Sequence, residues 1–117
     1  MFIVDQKDME YRFGDSGPKY LMRGPRMNFG IVRLKPGEDF DAHFHHIMEE
    51  NFFVLEGTLQ IRVDDKTHIL TEGQFIHVEP TEVHYLKNPS RTEPLKCVFA
   101  LSPYQEKDKV VVENPEI

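Results

Sequence analysis

Thr58-Leu-Gln-Ile-Arg-Val63 alternates apolar and polar residues, and Asp64-Asp65-Lys66 turns the chain back into a second run, Thr67 to Thr71. Alternation with period two marks a half-buried β-strand, and a short Asp-rich break between two such runs marks a hairpin. The same pattern recurs along the chain. Arg26 to Leu34 ends at Lys35-Pro36-Gly37, where Pro followed by Gly suits a type II turn. Phe40 to Phe44, Glu50 to Glu56, Gln74 to Glu79, Val83 to Asn88 and Leu95 to Leu101 follow, separated by breaks rich in turn-forming residues. No window carries an apolar pattern at helical spacing. About eight short strands in succession predict an all-β chain closed into a sandwich or barrel.

With 117 residues there is room for one domain, large enough to bury about two thirds of its unfolded surface. Strands fill residues 26–101, preceded by a polar arm, 1–25, of loops with one short strand, and followed by a charged tail, 102–117. Either end could cover a sheet edge of a second subunit or form a partly ordered terminus. A net charge of -6 argues against a nucleic-acid surface, which needs concentrated positive charge. The N-terminus lacks an apolar leader and no apolar run is long enough to span a membrane, so the expectation is a cytoplasmic protein. Cys97, the single cysteine, sits in the apolar run Leu95 to Leu101 as a buried thiol.

The histidines are clustered. His43 and His45 are two apart on a predicted strand, so they share a face roughly 6 to 7 Å apart and can grip one ion together. A short turn through Ile47 and Met48 brings Glu50 to the start of the next strand, with its carboxylate toward the same ion. Gly37, His43, His45, Glu50 and Gly57 match Gly-x5-His-x-His-x4-Glu-x6-Gly, the first motif of the cupin superfamily. Gly73, His84 and Asn88 fall in register with its second motif, Gly-x5-Pro-x-Gly-x2-His-x3-Asn. That motif is departed from twice: Pro80 comes one residue late, and Thr81 replaces the second glycine. Over residues 26–101 the chain thus resembles a small single-domain cupin.

The resemblance implies a double-stranded β-helix, or jelly-roll, barrel that forms a homodimer. It also implies that His43, His45, Glu50 and His84 hold one divalent transition-metal ion, whether Fe, Mn, Ni, Co, Cu or Zn. Three neutral imidazoles and one carboxylate leave such an ion a residual charge near +1. A six-coordinate ion would keep two neighbouring positions for a substrate offering two oxygens. The implied function is a metalloenzyme acting on a hydroxy or keto acid, a diketone or a sugar-derived acid, as dioxygenase, isomerase, lyase or decarboxylase. The alternative is a metal-dependent module that binds or senses a small molecule without turnover.

His77 is the candidate general base, and Arg62, which shares a strand face with Gln60, is the candidate clamp for a substrate carboxylate. Lys19, Arg23 and Arg26 form a basic cluster that would sit at the barrel mouth or on the plain surface. His46 and Tyr85 each adjoin a ligand and should point away from the metal. His68 reads as structural or exposed, and Asn88 as a residue that orders the local backbone. Phe52, Phe53, Phe75, Tyr85 and Phe99 are expected in the core.

Overall fold

The structure, a computed structural model, describes residues 1–116; Ile117, the end of the expected tail, lies outside them. Among the described residues ten strands are formed: β1 (Gly17–Arg23), β2 (Asn28–Leu34), β3 (Asp39–His45), β4 (Glu49–Glu56), β5 (Leu59–Val63), β6 (Lys66–Leu70), β7 (Phe75–Val78), β8 (His84–Lys87), β9 (Leu95–Ser102) and β10 (Lys109–Val111). They pair in two five-stranded sheets, in the orders β1-β2-β9-β4-β7 and β10-β3-β8-β5-β6. Successive strands mostly alternate between the sheets, and every pairing between them is antiparallel. This is the double-stranded β-helix that the resemblance implied. Each sheet also takes a strand from outside 26–101: β1 is the edge beside β2, and β10 covers the edge of β3.

The inward faces of the two sheets make the core. On β9, alternation buries Leu95, Cys97, Phe99 and Leu101, and these meet Phe52 and Val54 of β4 and Leu59 and Ile61 of β5. Gly57 closes the β4–β5 connection with φ 81°, where a side chain would run into the carbonyl of Pro94. Alternation also corrects the aromatic assignment. Phe53 and Phe75 are 39% and 60% exposed, because with Glu50, Phe52 and Val54 facing inward, Phe53 and its partner Phe75 face out. Among the described residues no helix is long and apolar enough to cross a membrane.

The N-terminal arm is tied down by Lys19. Its ammonium is buried, donates to the Gln6 carbonyl and side chain, and lies 4.1 Å from the centre of the Tyr11 ring. Lys19 therefore anchors the arm and is not free at the mouth. Arg26 is exposed, and Arg23 alone of that cluster reaches the barrel cavity.

Candidate metal centre

Strands from both sheets build the site. His43 and His45 come from β3 and His84 from its neighbour β8, where His84 stands directly across from His43. Glu50 faces them from β4 in the opposite sheet. The register of β3 against β8 slips between Phe40 and His43. Such a bulge resets which residues face inward, so Phe40 joins His43 and His45 on the cavity side despite its odd spacing from them.

Two turns hold these side chains in place. Residues 46–48, between His45 and Glu50, wrap around Asp108. Its Oδ1 accepts from the His46 N–H at 3.0 Å, and its Oδ2 from those of Ile47 at 3.0 Å and Met48 at 2.8 Å. Those backbone donors hold the Asp108 carboxyl below its usual value, against the upward push of burial. Before His84, Thr81 occupies the left-handed region at φ 73° and donates its N–H to the His45 carbonyl at 2.7 Å. The turn that a glycine would make without strain is thus kept by a β-branched residue.

The three imidazoles converge on one carboxylate oxygen. Nε2 of His43, His45 and His84 lies 3.5, 3.1 and 2.8 Å from Glu50 Oε1, and the four ligand atoms all lie within 4.8 Å of one another. All four residues are buried. Nδ1 of His43 is 2.7 Å from the Asp41 carbonyl, and Nδ1 of His84 is 3.0 Å from that of Glu82. A carbonyl can only accept, so each Nδ1 carries the proton, and in a neutral ring Nε2 is then a bare lone pair. Lone pairs aimed at a carboxylate oxygen repel unless a proton or a cation lies between them. His45 adds a buried Nδ1 with no hydrogen-bond partner.

Protons resolve this conflict only in part. Burial holds His43 below the usual imidazole value and outweighs the pull of Glu50. His84 is raised, because its hydrogen bond to Glu50 overcomes the cost of burial. For Glu50, burial alone would raise the carboxyl, but contact with the imidazoles of His43, His45 and His84 holds it well below its usual value. An ionised carboxylate facing imidazole lone pairs is the donor set that fits a divalent transition metal.

The site opens into a cavity of about 510 Å³. Phe40, Met48, Phe52, Leu86, Phe99 and Leu101 supply apolar walls, and Arg12, Arg23, Tyr104, Lys107 and Lys109 add polar ones. That size and mixture suit a small organic molecule.

The Cupin domain family matches residues 30–101. The chain belongs to the cupin family. The mannose-1-phosphate guanylyltransferase RfbM of Salmonella typhimurium is 35% identical to it over 89 residues, covering 76% of this chain and 17% of that enzyme. The chain thus spans about one sixth of the length of such relatives. A Klebsiella pneumoniae protein with a double-stranded β-helix domain superposes with a TM-score of 0.82 at 16% identity, covering 97% of this chain and 99% of that one. Streptomyces PAC13, solved with uridine, gives 0.76 at 16% identity, covering 97% and 91%. At those identities the likeness is one of fold.

Two expected site residues do not line the cavity of this cupin. His77 is exposed on β7, 2.6 Å from Asn51 Oδ1 and 3.3 Å from Glu79 Oε1, because Val78 takes the inward position beside it. Arg62 likewise faces out, since Leu59 and Ile61 face in; it donates to the carbonyls of Asp64 and Glu116. Tyr85 points away from the ligands and donates to Asp39. Asn88 is buried and bridges the carbonyls of Leu34 and Glu93, ordering backbone. His46 and His68 are exposed. Sequence reasoning missed Arg12, Phe40, Asp108 and Lys109.

Proposed function

We propose that this cupin holds one divalent transition-metal ion on His43, His45, Glu50 and His84 and acts as a metalloenzyme. Its substrate is a small oxygen-rich metabolite, a hydroxy or keto acid, a diketone or a sugar-derived acid, that presents two oxygens to the metal. The observation that carries the reading is the convergence of three imidazole nitrogens, two with their proton fixed on the far side, upon the buried carboxylate of Glu50 at the floor of a cavity. When bound, such an ion polarises a coordinated carbonyl or hydroxyl. The protein's part is to hold the imidazole nitrogens together around the Glu50 carboxylate, to exclude water with Phe40, Phe52 and Phe99, and to orient the substrate with the polar wall.

A second reading, a metal-dependent binding module without turnover, is favoured by His77 lying outside the cavity, which leaves that expected base out of reach. Elemental analysis of protein purified without added metal tests the metal: about one transition-metal ion per chain is expected, and His43→Ala or Glu50→Ala should remove it. Full metal content in both variants would refute the site. Turnover and oxygen uptake against a panel of hydroxy acids, diketones and uronates then separate oxygen-dependent from redox-neutral chemistry, and inertness throughout favours the binder.

A further inference from the structure

Phe40 forms part of the cavity wall, and its ring centre lies 6.1 Å from that of the ligand His43. Two cations lie against that phenyl ring: the Lys109 ammonium, 4.6 Å from its centre, and the Arg12 guanidinium, 5.9 Å from it. They come from opposite ends of the chain, Arg12 from the arm anchored by Lys19 and Lys109 from β10, which pairs with β3 so that Lys109 stands opposite His45. Among the described residues neither forms an ion pair with a carboxylate.

The acidic groups of the cavity are committed elsewhere. Glu50 faces the imidazoles, Asp108 is taken up by three backbone N–H groups, and Glu106 lies 3.3 Å from the Tyr104 hydroxyl. A chain of net charge -6 thus gathers uncommitted positive charge beside its ligand cluster. Like charges held against one ring repel at a cost, and the carboxylates that offset it, Glu50 and Asp41, act on Lys109 from beyond ion-pair distance. A group that repays the cost is an anion placed between them.

We propose that Arg12 and Lys109 form a specificity site for a second anionic group of the substrate, a carboxylate or a phosphate, set across Phe40 from the oxygens that reach the metal. The proposal rests on the metal-dependent reading above and narrows it: the substrate carries a negative charge beyond its chelating end.

Calorimetric titration of the Mn²⁺-loaded protein with matched pairs of probes tests it. Malate differs from lactate by one carboxylate, and 3-phosphoglycerate differs from glycerate by one phosphate. The wild type should bind malate or 3-phosphoglycerate about tenfold or more tighter than its singly charged partner, and the preferred pair tells carboxylate from phosphate. In Arg12→Gln/Lys109→Gln that preference should vanish, the more highly charged probe of the pair losing about tenfold or more relative to its singly charged partner, while about one metal ion per chain is retained. Equal affinities within both pairs in the wild type, or a preference that survives the double substitution, would overturn the proposal. The same titrations on chelator-treated protein separate the two readings. Loss of the preference with metal content intact in the wild type defeats the anion site alone. A charge preference that needs Arg12 and Lys109 in a chain that takes up no metal supports the anion site and defeats the metal reading.

Discussion

Replacing Asp108 with Ala removes the acceptor around which the chain turns between His45 and Glu50. Three backbone donors lose it, those of His46, Ile47 and Met48, and the bond to Met48 at 2.8 Å is fully buried. A buried donor left without a partner costs roughly 1–3 kcal/mol, and hydrogen bonds to a charged acceptor lie toward the upper end. The His46 and Ile47 donors are partly buried and can recover water, so the expected loss is about 3 kcal/mol in all. For a domain of this size that lowers Tm by roughly 10 °C. The disturbed turn joins two of the proposed metal ligands, so metal affinity should also fall, by about 10- to 100-fold. Differential scanning calorimetry with and without Zn²⁺ and a competition titration against a chelator read both effects. The pH dependence gives a further check. The Asp108 carboxyl is depressed in the folded state, so its contribution is present above its ordinary value of 3.8 and is lost as pH falls through the folded value. The gap in stability between wild type and Asp108→Ala should therefore be full at neutral pH and close in strong acid. A fall in Tm of less than about 2 °C together with unchanged chelator competition would refute the reasoning.

Thr81→Gly should raise Tm modestly, by up to about 1 kcal/mol of stability, because it relieves a β-branched residue at φ 73°; a lower Tm by calorimetry would show that the turn is unstrained. Metal affinity should weaken in acid. His84 is raised above the usual imidazole value, so its proton competes with the metal earlier than that of a free imidazole, and the binding constant read by chelator competition should fall about tenfold per pH unit once that proton must be displaced. Cys97 is fully buried, with its thiol pushed up to about 12, so a thiol reagent at neutral pH should label it only as fast as the protein unfolds. Rapid labelling under native conditions would contradict its place in the core.

The clustering of His43, His45, Glu50 and His84 was legible because local rules set it. A strand's period puts His43 and His45 on one face, and short turns fix where Glu50 and His84 enter. The strands were legible for the same reason, as alternation on β5 and β9 shows. Facing was harder to read wherever it depended on tertiary pairing. The slip of β3 against β8 that turns Phe40 inward leaves no mark in the residue pattern. His77 and Arg62 are polar residues in alternating runs, and only the inward placement of Val78, Leu59 and Ile61 shows that they face away from the cavity. Arg12, Asp108 and Lys109 lie outside any periodic run. They reach the cavity through long-range contacts, β10 along β3 and the arm through Lys19, which no local signal announces.

The central claim is that a metal ion sits among His43, His45, Glu50 and His84. Anomalous X-ray diffraction from crystals grown with a transition metal tests it most directly. The expected result is one anomalous peak about 2.0–2.2 Å from the Nε2 atoms of His43, His45 and His84 and from a Glu50 carboxylate oxygen. Crystals that show no peak there, with the Glu50 carboxylate still in direct hydrogen bonds to the imidazoles, would contradict it.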